Sequence, residues 1–243
     1  MTTDWLYLLV PLFLVAVLYG TVGHGGASGY LAVMALASVA PAVMKPTALT
    51  LNLAVSLIGT VLFFRAGHFA WRLFWPFAVT SMPLAFLGGR LDVPTHVFKL
   101  LLAFALGFAA LRLLLPAPKT EVLRPAPILW VLLAGAIMGL ISGLIGVGGG
   151  IFLTPLLLLM RWSNTKTAAA VSAPFIFVNS AAGLAGHATS LNNLPPAWPL
   201  LALIVVAGGF VGAHWGSGRA HATQLRPALA LVLGVACLKL AVS

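Results

Sequence analysis

Gly143-Leu-Ile-Gly-Val-Gly-Gly-Gly150 sets five glycines into eight residues between two apolar runs. Each glycine inside a helix costs about 1 kcal/mol relative to alanine, so a cluster this dense marks a place where a helix stops. A shift of 123 positions superposes Gly20, Gly23, Gly25 and Gly26 on Gly143, Gly146, Gly148 and Gly149, so Gly20-Thr-Val-Gly-His-Gly-Gly-Ala-Ser-Gly29 repeats the pattern in the first half. The chain reads as a duplication with one interruption per half.

Composition sets the class around that pattern. With 61% hydrophobic and 7% charged residues and a mean hydropathy of +1.10, the chain cannot cover itself with a water-facing surface. It reads as an all-α polytopic membrane protein whose first partner is the lipid bilayer. The opening Met1-Thr-Thr-Asp4 lacks the basic region of a signal peptide, and no polar segment is long enough to hold a separate core. The formal charge of +10 does not indicate nucleic acid, because the 13 Lys and Arg lie singly or in pairs between apolar segments, as topology determinants do. Asp4, Asp92 and Glu121 are the only carboxylates, and none lies within an apolar run. Carboxylate metal ligation, acid/base pairs and acidic proton relays are therefore unsupported, and no metal or cofactor is expected. A charged solute crossing this protein is more readily an anion.

Trp5 to Tyr19 and Tyr30 to Ala40 flank the first cluster as two short legs, roughly 16 to 23 Å each if helical. Neither comfortably crosses a hydrocarbon core of ~30 Å, so they form either one broken span or a re-entrant hairpin. Thr47 to Phe64, Trp71 to Gly88 and His96 to Leu115 are long enough to cross. The proline-rich stretch 116–127 divides a first repeat, 1–115, from a second, 128–243. The second repeat follows the same plan: Ile128 to Ile145, the cluster, Ile151 to Met160, then Lys166 to Leu184, Ala197 to Trp215 and Thr223 to Val242. Thr47-Ala48 falls on Thr167-Ala168, and Gly67-His68 on Gly186-His187.

The positive-inside rule separates the two parities. If each broken element crosses once, the 13 cations divide seven against six. If each returns, Arg65, Arg72, Arg112, Lys119, Arg124, Arg161, Lys166, Arg219 and Arg226 face the cytoplasm, against Lys45, Arg90, Lys99 and Lys239 outside. The second division carries the bias, and it gives each repeat one re-entrant hairpin plus three transmembrane helices. Three is odd, so the repeats are inverted and their tips enter from opposite faces to meet near the midplane, as in secondary transporters.

Those tips are the expected binding site. Gly23, His24, Gly25, Gly26 and Ser28 form the first, and Gly146, Gly148, Gly149 and Gly150 the second. Glycine lets backbone approach a ligand, and a helix starting after each cluster offers free N–H groups and the positive end of its dipole to an anion. Asn52, Ser56 and Thr60 recur on one face of the second span, and Ser172, Asn179 and Ser180 lie close to one face of its counterpart, as neutral donors to an oxyanion. Close helix packing is the competing reading for the glycines, and interhelical bonding for the hydroxyls. His24, aligned with Val147, is a direct contact or a proton carrier.

One enzymatic reading arises from His24-Gly25-Gly26-Ala27-Ser28-Gly29, which combines a His-Gly-Gly oxyanion-hole stretch with the Gly-x-Ser-Gly of rhomboid-like intramembrane proteases. Ser28 would need a histidine on another helix, His187 or His214. The matching stretch Gly148-Gly-Gly-Ile-Phe152 has no serine, so no catalytic residues are assigned and no enzyme is expected.

Both glycine clusters, the Gly67-His68 and Gly186-His187 pairs and the Ile-Phe-Leu-Thr-Pro155 that follows the second cluster resemble the sulfite exporter TauE/SafE family of membrane permeases. The resemblance covers essentially the whole chain. It implies a multi-pass transporter in a bacterial or archaeal inner membrane, moving sulfite, sulfoacetate, other organosulfonates or thiosulfate, with a homodimer compatible with such a chain. The expected mechanism is alternating access between the repeats, with a passive anion channel as the alternative.

Overall fold

A computed structural model describes residues 5–115, 123–217 and 226–242. Among them are ten α-helices and no strand. A short 3-10 turn at Trp5–Leu8 leads into α1 (Leu9–Thr21), followed by α2 (Ala27–Leu36), α3 (Pro41–Arg65), α4 (Trp71–Arg90) and α5 (Thr95–Leu114). The second half gives α6 (Ile128–Ile145), α7 (Gly150–Leu159), α8 (Thr165–Gly186), a 3-10 turn at Ala188–Asn193, α9 (Trp198–Ser217) and α10 (Arg226–Val242). Most of the expected linker, 116–122, and the expected start of the last span at 223–225 lie outside the described residues.

The outer faces are apolar, and a group of polar side chains is buried within a largely apolar core. Ser28, Asn52, Ser172, Asn179 and Ser180 are buried, while Tyr7, Phe104, Leu129 and Leu231 are largely exposed on outer helix faces. That arrangement suits a bilayer, where the solvent is apolar and every backbone polar group must bond within the protein. Helices α3, α5, α6, α8 and α9 are long and apolar enough to cross one.

The main helix pairs recur when the two halves are exchanged. α1 packs along α9 as α6 packs along α4, α3 pairs with α8, and α5 with α10. Small residues bring the first two pairs close. A Cβ on Gly135, Gly139 or Gly143 of α6 would strike the backbone of Phe77, Ser81 or Ala85 of α4. Gly208, Gly212 and Gly216 of α9 meet the carbonyls of Phe13, Val17 and Thr21 of α1 in the same way. Spacing by four keeps each stripe on one helix face, the usual device for dispersion-driven association in lipid. The packing reading thus holds for Gly20 and Gly143, which lie in these contacts.

Loops gather at two ends. At one, Lys45, Asp92, His187 and Asn193 line a common cavity. At the other, the Arg124 N–H donates to the Arg161 carbonyl at 2.8 Å, and Phe69, Ala126 and Trp162 join one apolar cluster. α6 thus begins, and α7 finishes, at the Phe69 end.

The broken elements differ from the expected pair of short legs. α6 alone is long enough to cross, and its contacts with α4 carry it to the Lys45 end, where Leu144 lines the cavity. Its connection then turns back: a Cβ on Gly146 would lie 3.1 Å from Lys45, whereas one on Gly148 would meet Asn52 and Ser180 in mid-bundle. α7 starts there and has 10 residues, about 15 Å, half of a crossing. The first connection does the same from the other side, with Gly23 against Ala169, near the start of α8, and Gly25 against Asn52. Each interruption is a nearly full span, a loop returning to mid-depth, and a half-length helix.

Two boundaries moved for local reasons. α3 begins at Pro41 rather than Thr47, because Pro41 occupies the first helical position, where its missing N–H costs nothing, and Pro46 forfeits only one intrahelical bond. α2 begins at Ala27, three residues before Tyr30, because Gly26 at φ 95° supplies the left-handed turn directly ahead of it.

Candidate functional site

The two connections converge on Asn52, which sits midway along α3 and is fully buried. Its Oδ1 accepts the backbone N–H of Ala27, the first residue of α2, at 3.2 Å. Its Nδ2 donates to Ser180 Oγ of α8 at 2.8 Å. A Cβ on Gly25 would collide with the Asn52 Oδ1, and one on Gly148 with its Nδ2. Glycine is required at both places because the backbone lies flat against one amide, and Gly148 in addition holds φ 76°.

The two half-helices start alike. Gly26 (φ 95°) precedes α2 and Gly149 (φ 80°) precedes α7, both left-handed. Each is a helix start whose first N–H groups have no intrahelical acceptor, and both are buried near mid-depth. On α2 one of these donors is already spent on Asn52.

His24 ties the tips together. Its Nε2 lies 3.0 Å from the Gly150 carbonyl on the second tip, and its Nδ1 3.1 Å from the Val22 carbonyl on its own. A neutral imidazole has one N–H and serves one of these carbonyls, whereas an imidazolium serves both. Tyr19 packs edge-on against the ring.

The remaining expected residues divide. Ser28 is buried at the first tip, but its hydroxyl shares a 2.7 Å bond with the Tyr19 hydroxyl. Ser56 bonds back to the Leu53 carbonyl at 3.2 Å, within its own helix. Ser172 pairs with Thr154 Oγ1 at 2.7 Å and so ties α8 to α7. Asn179, expected as a donor, spends its Nδ2 on the Phe175 carbonyl at 2.8 Å, so what it leaves unpartnered is the buried acceptor Oδ1. The groups that meet between the tips are the Asn52 amide, the Ser180 hydroxyl that accepts from it, and the backbone.

Three contributors carried weaker signals. Tyr30 donates to the Gly25 carbonyl at 2.8 Å, and with Tyr19 it makes up two of the chain's three tyrosines, both flanking the first cluster. Lys45, read as a topology determinant, is buried with only 5% exposure and touches the second connection at Gly146. A lysine followed by proline just before an apolar run was its only mark.

The hydrolase reading fails on position. The Ser28 hydroxyl is held by a tyrosine, His187 lies at the Lys45 end of the bundle, and His214 stacks on Phe210 in the last turns of α9. Among the described residues no group of three His, Cys, Asp or Glu could hold a metal ion.

Half-length helices that start inside a bundle, with polar groups turned inward and apolar faces outward, define a multi-pass membrane transporter. The chain belongs to the sulfite exporter TauE/SafE family, whose profile matches residues 8–240. It is 39% identical over 250 residues to the probable membrane transporter protein y4hK of Sinorhizobium fredii, covering 99% of each chain. No solved structure matches it. The family is one of transporters, not enzymes.

Proposed function

We propose that this protein is a secondary transporter of a small sulfur-containing anion, sulfite, sulfoacetate or another organosulfonate, or thiosulfate, across the inner membrane of a bacterium or archaeon. It works by alternating access between two inverted repeats, 1–115 and 128–243, joined by 116–127. The observation that carries this reading is Asn52, held at once by the start of α2 and by α8 with both glycine tips against it. Support for inversion comes from the parallel pairs, α1 with α9 and α6 with α4, and from connections that reach Asn52 from opposite ends.

At this site Ala27 N–H, Asn52 Nδ2 and the first N–H groups of α7 become the donors to the oxyanion. Binding exchanges the Ala27–Asn52 and Asn52–Ser180 bonds for bonds to substrate. Hydrogen bonds traded one for one leave a small net energy, which lets the anion leave again. Of these, the Asn52–Ser180 bond ties α3 of the first repeat to α8 of the second, so substrate binding loosens a contact between the repeats that must slide. An inside-negative potential favours anion export at ~2.3 kcal/mol per charge per 100 mV. His24 is the group available for proton coupling, since protonation adds a second donated bond at the tip-to-tip contact.

Proteoliposomes loaded with unlabelled sulfite, thiosulfate or sulfoacetate and diluted into the labelled anion test this. A transporter shows saturable counterflow, and a channel shows none. If no anion of the three moves, the reading is wrong at its centre.

A further inference from the structure

At the Lys45 end, a cavity of about 350 Å³ lies between the start of α3, the α4–α5 loop and the chain leaving α8. Lys45, Asp92, His187 and Asn193 line it. Lys45 is 95% buried by its 5% exposure, and among the described residues it makes no ion pair. Its one hydrogen bond, to the Gly89 carbonyl, is 3.5 Å long. A buried ammonium normally has a close anionic partner, because desolvating an unpaired charge costs several kcal/mol. Asp92 acts on it electrostatically without bonding it.

The cavity also sits at the head of a route. Gly146, where the second connection turns inward, rests on Lys45, and Gly148, two residues on, rests on Asn52. Lys45 and Asn52 are seven residues apart on α3, hence on one face, separated by about 10 Å along the axis. A tetrahedral oxyanion spans roughly half that distance, so the two positions are separate stations rather than one.

We propose that this cavity is a second anion subsite, in which Lys45 Nζ with the Asn193 amide, joined by the His187 ring once it is protonated, takes a sulfur oxyanion from one face of the membrane before it passes Gly146 to Asn52. This deepens the transport reading and rests on it for the sequence of events, though binding itself does not. Asp92 is the built-in competitor: its carboxylate keeps the subsite weak, so that an anion is captured and released.

The test uses sulfate as probe on the purified full-length protein, following the thermal unfolding midpoint against sulfate concentration at ionic strength held constant with chloride. The wild type should be stabilised saturably. Lys45→Met, a change that removes a buried charge without removing volume, should lose that response at least tenfold in midpoint concentration. Lys45→Arg should keep it, and Asp92→Asn should shift it to lower sulfate. An unchanged sulfate response in Lys45→Met, or none in the wild type, overturns the subsite. Counterflow separates this from the wider reading: anion transport without a Lys45-dependent response sinks the subsite alone, and a Lys45-dependent response in a protein that moves no anion sinks the transport reading alone.

Discussion

The two glycine tips share a left-handed glycine directly before each half-helix, Gly26 and Gly149, and differ in what braces them. On the first, Tyr19 holds Ser28, Tyr30 holds the Gly25 carbonyl, and His24 reaches across to Gly150. The second has Val147 where the first has His24, its glycines Gly146, Gly148 and Gly149 are left-handed, and the side-chain bond it takes comes from His24 at the Gly150 carbonyl. One tip is fixed by aromatic hydroxyls; the other is bare backbone between Lys45 and Asn52. A duplicated pair of this kind can give one half the task of holding geometry and leave the other free to adjust around substrate.

The largest effect should come from breaking the bare tip. Gly148→Ala forces an L side chain into φ 76° and drives its Cβ into the Asn52 amide and Ser180, a combined cost of roughly 2–4 kcal/mol. Gly25→Ala meets the same amide without the left-handed backbone. Both should abolish counterflow, and Gly148→Ala should also lower the unfolding midpoint further than Gly25→Ala. Equal losses would show that the two tips are interchangeable.

Next in size is Asn52→Asp. The carboxylate still accepts the Ala27 N–H, and Ser180 can turn its hydroxyl to donate, so the fold is kept. A negative charge now faces the anion, however, at a place where Coulomb repulsion is poorly screened. Counterflow should fall by about two orders of magnitude or more, which corresponds to roughly 3 kcal/mol. Asn52→Asp at wild-type rate would remove Asn52 from the site.

His24→Gln tests the link between the tips. Glutamine can still donate to one carbonyl but cannot gain a proton, so uptake should proceed while losing its response to a pH gradient. A pH-gradient response equal to wild type would assign coupling elsewhere. Tyr19→Phe probes the brace itself: loss of the Ser28 bond should cost about 1 kcal/mol, a midpoint lower by about 2–4 °C, with transport largely retained.

These tips also show what a sequence displays and what it withholds. The broken helices follow from glycine spacing, because it reports directly on backbone freedom, and the structure brings the two tips together at Asn52. The unequal legs were not visible: 18 residues from Ile128 to Ile145 look the same whether they stop at mid-depth or continue, and only the close contact with Ala85 and Gly89 shows that they continue. Helical spacing grouped Asn52, which the structure sets between the tips, with Ser56 and Ser172, whose hydroxyls can bond to their own helix or to a neighbour without changing the pattern. Lys45 was hidden by the charge census, since a cation counted for its side of the membrane is not asked what it touches.

The smallest expected effect separates the Lys45 end from the tips. His187 lies outside the spanning helices, at the end of α8, and its ring bonds the Gly89 backbone that also accepts from Lys45. Burial first, and then the positive charge of Lys45, hold its pKa below the ordinary 6.5, while Asp92 and the Gly89 bond oppose them. The ring is therefore neutral at pH 7 and gains its proton only as pH falls below 6.5. Protonation puts a second cation beside Lys45, in a cavity where, among the described residues, Asp92 is the only carboxylate and Thr95 and Asn193 are the neutral polar lining groups. Sulfate, dianionic throughout this range, should consequently bind several-fold more tightly at pH 5.5 than at pH 7.5, and His187→Gln should flatten that dependence without removing binding at pH 7.5. The sign is opposite for the protein alone, because a histidine held neutral in the fold destabilises it as pH drops. Without sulfate the midpoint should fall toward pH 5.5, and with sulfate it should fall less. A sulfate affinity that is flat with pH in the wild type would take His187 out of the subsite and leave Lys45 as its only cation.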